Sequence, residues 1–199
     1  MYTNKLTKQK LAAHFRRCGW IYIVGAVALI FLNSMIFTMT RPRIPDAETV
    51  RVMLVNQNGV SEARRQALFE RVHTADETTR ALEFEPILYD SQQYELSMAM
   101  PVKLMAGGYD LIVASGEAFD QLDLMGCYLP LDGYIAETAD PLPETVTLEN
   151  HETGEKFAGV FRTDFLGMED VCVGVAVNSE NPDSAWKALR VLLADEGEA

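Results

Sequence analysis

The sequence predicts an α/β protein in which one N-terminal transmembrane helix is followed by one soluble domain with a mostly parallel sheet and a small β-hairpin insertion. Three observations predict it. From Cys18 to Thr40 there is no Asp, Glu, Lys, Arg or His. Three strand-then-helix units follow one another between Val50 and Met125, and consecutive units of this kind build parallel sheets. Between Leu131 and Val171 two alternating stretches flank a polar turn and break that rhythm. With 199 residues, 48% of them hydrophobic and 23% charged, the chain holds one ordinary core beside an anchor. The expected divisions are a basic cytoplasmic segment 1–18, a transmembrane helix 19–40, a linker 41–49 and an extracytoplasmic domain 50–199.

The anchor comes first. Trp20-Ile-Tyr-Ile-Val-Gly-Ala-Val-Ala-Leu-Ile-Phe-Leu is apolar on every face, and about 20 helical residues at ~1.5 Å each cross ~30 Å of hydrocarbon with every backbone group bonded internally. Trp20 and Tyr22 suit the interfacial belt. A cleaved signal would carry a shorter apolar run ending in small residues, whereas this one ends Ile36-Phe-Thr-Met-Thr, so the helix is expected to be retained. Lys5, Lys8, Lys10, Arg16 and Arg17 precede it and only Arg41 and Arg43 follow closely. The positive-inside bias then places the N-terminus in the cytoplasm and the domain outside the cell membrane. Asn33 and Ser34 in the outer third of the span read as reaching interfacial water rather than a partner helix.

Charge is distributed unevenly. Residues 1–45 hold 7 of the 17 basic residues and no acid, leaving 10 basic against 29 acidic residues from Asp46 onward, a net of about −19. Such a field repels phosphate backbones and excludes nucleic acid as a partner. Cys18, Cys127 and Cys172 stand far apart without a C-x-x-C pair. They form no disulfide framework or zinc set, and Cys127 and Cys172 read as buried free thiols ahead of a bridge.

In the domain, Arg41-Pro-Arg-Ile-Pro is a stiff linker and Val50-Arg-Val-Met-Leu-Val a buried strand. After the turn Asn56-Gln-Asn-Gly, Ser61 caps a helix whose Ala63, Ala67, Leu68, Val72 and Ala75 recur at helical spacing. Leu82-Glu-Phe-Glu-Pro-Ile-Leu-Tyr alternates as a strand, and Pro86 assigns it to an edge or a bulge. A helical stretch from Ser91 to Met105 contains Pro101, and its Met98, Met100 and Met105 read as core packing. Asp110-Leu-Ile-Val-Ala-Ser-Gly is a third buried strand, with Glu117 to Met125 as its helix. Glu144 to Glu149 and Lys156 to Phe161 form the hairpin, Val171 to Val177 is a further buried strand, and Asn181-Pro182 opens a last helix with Trp186, Leu189, Leu192 and Leu193 on its apolar face.

Catalytic chemistry has few candidates. His14, His73 and His151 have no metal-ligand spacing, so neither metal nor cofactor is expected. Ser184-Ala-Trp-Lys187 matches the Ser-x-x-Lys pattern of envelope acyltransferases and hydrolases, without their Ser-Asp-Asn or Lys-Thr-Gly partners. Asp120 with Asp123, and Glu169 with Asp170, read as solvated acidic pairs.

Lys103-Leu-Met-Ala-Gly-Gly-Tyr-Asp-Leu-Ile-Val-Ala-Ser-Gly-Glu-Ala-Phe-Asp-Gln-Leu, then Gly126-Cys-Tyr-Leu-Pro-Leu-Asp, resembles the extracellular solute-binding proteins of ABC importers, as does the last helix from Asn181 to Leu193. The resemblance implies a periplasmic-binding-protein-like lobe. Only one lobe fits this length, as in the short single-span hypothetical membrane proteins of Gram-positive bacteria, which the chain also resembles. The expected function is a membrane-anchored, non-enzymatic binding or accessory domain linked to solute transport, with a structural or assembly partner in a membrane complex as the alternative. An envelope enzyme using Ser184 and Lys187 is the second alternative. The expected partners are the bilayer through residues 19–40 and either a membrane or envelope protein or a small solute. A ligand site in such a sheet lies at the C-terminal ends of the parallel strands. That rule selects Asn56, Gln57 and Asn58 after the first strand and Ser115, Gly116 and Glu117 after the third.

Overall fold

Strand β1 (Thr49–Val55) sends Val52 and Leu54 to one face of the sheet and Met53 and Val55 to the other, all four fully buried. A strand covered on both faces needs apolar side chains at every position. The computed structural model describes residues 8–40, 44–57, 59–139 and 141–196. Lys5, Arg41, Arg43 and Asn58 lie outside them, and so does the charge argument that rests on the first three.

The chain forms two units, 1–43 and 44–199. In the first, helix α1 (Lys8–Thr40) contains a 22-residue stretch from Arg16 to Phe37 with mean hydropathy 2.1. It is long and apolar enough to cross a membrane, a property a signal sequence shares.

The second unit is built on one six-stranded sheet. Besides β1 it holds β2 (Ala81–Ile87), β3 (Leu111–Ala114), β4 (Glu144–Glu149), β5 (Lys156–Phe165) and β6 (Met168–Val175), in the order β2-β1-β3-β6-β5-β4. β1 pairs in parallel with β2 and β3, as the strand-helix rhythm requires. The three remaining pairings are antiparallel, so the expected mostly parallel sheet is corrected to a mixed one. The turns joining β4 to β5 and β5 to β6 are short, and a short turn can only return the chain antiparallel, because a parallel return needs a crossover. The hairpin is therefore no insertion: with β6 it completes a meander that continues the same sheet. Pro86 lies on β2, which is an edge strand, where its missing N–H leaves no sheet bond unmade.

Helices cover both faces. α2 (Glu62–Ala75) and α6 (Pro182–Glu196) place Leu68, Val72, Trp186, Leu189 and Leu192 against Val52, Leu54, Val113, Phe161 and Val173. α3 (Tyr94–Met105) and α4 (Gly116–Leu124) place Met100, Leu104, Ala118 and Leu122 against Met53, Val55, Ile112 and Ala114. A short α5 (Asp132–Ala136) leads into β4. Ser61 caps α2 by accepting from the Arg64 N–H at 3.4 Å.

Two packing expectations are corrected. On α2 only Leu68 and Val72 are buried while Ala63, Ala67 and Ala75 are exposed, because the sheet is met by the arc around Leu68 and Val72. On α3, Met100 is buried but Met98 and Met105 point outward. Pro101 is accommodated within a single helix.

Candidate functional site

Parallel strands that end level bring the loops after them side by side. Val55 is paired with Ile87, and β3 lies on the other flank of β1, so the segments after β1, β2 and β3 emerge at one edge. From there β1 leads to α2 on one face and β3 leads to α4 on the opposite face. This divergence opens a crevice at the switch point of a parallel sheet.

A cavity of about 320 Å³ occupies that crevice, lined by Asn56, Tyr89, Asp90, Ser91, Gln92, Ser115, Glu117 and Ala118. Asn56 holds it together. Its φ of 57° is a left-handed conformation that Asn tolerates better than most residues. Its N–H donates to Ile87 O at 2.8 Å and its Oδ1 accepts from the Tyr89 N–H at 2.6 Å. Across the cavity, Ser91 Oγ donates to Glu117 Oε2 at 2.7 Å, tying the β2 loop to the first turn of α4. Asp90 accepts from Gln92 N–H at 2.8 Å and from Gln93 Nε2 at 2.7 Å, which shapes the approach to α3. Ser115 precedes α4 without a capping bond from its hydroxyl. The lining therefore presents hydroxyls, amides and two carboxylates, with no basic side chain among its residues. It suits a neutral or positively charged polar ligand better than an anion.

Of the six residues selected from the sequence, Asn56, Ser115 and Glu117 meet in this cavity. Gln57 turns to a separate cavity of about 330 Å³ on the other side of β1, with Ser61, Arg64 and Gly167. Gly116 opens α4 at a φ of 55° and is not part of the lining, and Asn58 lies outside the described residues. The sequence reading missed Tyr89 to Gln92 because it ran a strand through Tyr89 and a helix from Ser91. Their signal was the polar run Asp90-Ser-Gln-Gln at the end of a strand parallel to β1.

Ser184 and Lys187 turn toward Asp76, in the bend after α2. Ser184 is buried, with Oγ 3.4 Å from Thr78 Oγ1, and Lys187 Nζ donates to Asp76 Oδ1 at 3.3 Å. Both side chains are thus engaged at the bend after α2. Asn181, at the start of α6, donates from Nδ2 to Ala47 O at 3.1 Å. Cys127 and Cys172 are buried free thiols, and burial pushes the Cys127 thiol up to about 11. Among the described residues no three His, Cys, Asp or Glu side chains converge to hold a metal ion. Comparison of the chain with known protein families, curated proteins and solved structures finds no match.

Proposed function

We propose that this chain is a membrane-tethered binding domain, anchored through α1 with its α/β unit outside the cell, that takes a small polar solute at the crevice between β1, β2 and β3. One observation carries the reading. Asn56, Ser115 and Glu117, selected from the sequence by their position after two parallel strands, line a single cavity with four polar or aromatic residues from the β2 loop. The resemblance of the segment from Lys103 to Asp132 to solute-binding lobes agrees with it, and that segment supplies Ser115 and Glu117. The cavity chemistry favours polyhydroxylated or amine-bearing solutes, whose hydroxyls and ammonium groups match the amides and carboxylates of the lining.

The test is a thermal melt of the full chain in detergent, followed by the fluorescence of Trp186, whose ring lies 6.0 Å from that of Phe161 in the core. Sugars, amino acids and polyamines are added in turn. A ligand at a hundred times its dissociation constant adds about 2.7 kcal/mol of stability. A shift that disappears in both Asn56→Ala and Glu117→Gln supports the reading. A flat screen on a cooperatively melting protein removes it.

A further inference from the structure

Helix α3 is apolar on the side that the core does not use. Tyr94, Met98, Val102 and Met105 recur at spacings of four, four and three, and so fall within one arc of the helix. They are 78%, 43%, 57% and 83% exposed, while Met100 and Leu104 on the opposite arc are buried. Leu88, 66% exposed, precedes the helix. Single exposed apolar residues are ordinary, but a row of four along three turns is a contiguous surface of the kind that marks an interaction site. Two of the four are methionines, whose flexible thioethers adapt to a partner's shape.

The surrounding charge selects the occupant. Glu95 adjoins the row on α3, and Glu117 and Asp120 are exposed on α4, which covers the same face of the sheet. Lys103 is the single basic side chain of these two helices, and Glu85 pairs with it. A second copy of this domain would bring a net of about −19 against the same charge. An anionic lipid surface is repelled by the same carboxylates. A helix with an apolar face and basic flanks gains both the apolar burial and the charge attraction.

We propose that the row Tyr94, Met98, Val102 and Met105 is a docking face for a basic amphipathic helix of a partner protein, laid along α3. The four residues of the row are not among those that line the solute cavity. Its length, about 16 Å at ~1.5 Å per residue, matches a partner helix with anchors one, two and three turns apart.

The experiment uses the full chain in nanodiscs of neutral phosphatidylcholine and three synthetic helices of about eighteen residues. The peptides share one leucine face and differ only in flanking Lys, Gln or Glu. The Lys peptide is expected to bind saturably and roughly tenfold more tightly than the Gln peptide, with an advantage that shrinks in salt, while the Glu peptide fails to bind. Met98→Glu with Val102→Glu abolishes the binding. Tyr94→Ser with Met105→Ser, which changes the two most exposed positions, weakens it without moving the melting temperature. Equal binding of the three peptides, or binding unchanged in both double variants, overturns the proposal. So does self-association of the chain, or quenching of a Tyr94→Trp variant by brominated neutral lipid, if either is lost when Met98→Glu and Val102→Glu are added, since the face would then belong to a second copy or to the bilayer.

Discussion

Lys187 on α6 reaches the carboxylate of Asp76 at 3.3 Å and so ties the last helix to the end of α2. Thr78 Oγ1 at 2.8 Å and Thr79 Oγ1 at 3.2 Å donate to the same carboxylate, whose side chain is only 4% exposed. Burial alone would raise its pKa, but hydrogen bonds from Ser184, Thr78 and Lys187, with the lysine's charge, hold it down at about 2 against an ordinary 3.8.

The pH dependence follows from that depression. A carboxyl with a lowered folded-state pKa contributes its stability above the unfolded value and loses it as pH falls through the folded one. The domain is expected to lose on the order of 2 kcal/mol from this group between about pH 4 and pH 2. Asp76→Asn should lose a similar amount at pH 7 and show a flatter profile in the acid window. Urea melts of both proteins across that range decide it; superimposable profiles would refute the assignment.

Gly174 is required by its neighbours. A Cβ there would stand 2.8 Å from Gly159 O, 2.8 Å from Val160 Cγ1 and 2.9 Å from Tyr128 Cδ1, and the first of these is backbone that cannot swing away. Gly174→Ala is expected to cost about 1–3 kcal/mol. Gly133→Ala on α5, with nothing within 4 Å of the new methyl, should be neutral or stabilising by up to ~1 kcal/mol. Denaturant midpoints that move equally in the two variants would contradict this account.

Tyr128 carries a buried hydroxyl with no hydrogen-bond partner, and burial pushes its pKa up. Leaving a buried donor unmade is costly, so Tyr128→Phe should stabilise the fold by about 1 kcal/mol. A lower melting temperature for the variant would show that the hydroxyl is satisfied in solution.

Orientation is testable through thiols, since Cys127 and Cys172 are buried and Cys18 is half-buried at the start of the apolar stretch. Glu152→Cys, exposed between β4 and β5, should react with a membrane-impermeant maleimide on intact cells, and Cys18 only after permeabilisation. The reverse pattern would invert the proposed topology, and release of the chain from the membrane by carbonate would favour a cleaved signal.

The local elements were legible because their signals are local. Ser61 caps α2, Pro86 falls on an edge strand, and the unbroken apolar runs at Val52 to Val55 and Leu111 to Ala114 are strands buried on both faces. Part of the cavity was legible for the same reason, since Asn56, Ser115 and Glu117 each follow a strand that the sequence marks.

What the sequence by itself determined was the apolar helix, the strand-helix units of the first half and the acidity of the domain. The tertiary structure alone decided that β6 runs antiparallel beside β3, that Tyr89 to Gln92 close the cavity, that Lys187 meets Asp76 across 111 positions, and that Met98 and Met105 face outward while Met100 does not. Periodicity reports that a side chain can be buried, whereas the partner that buries it is chosen by long-range packing, and no short window of sequence contains that partner.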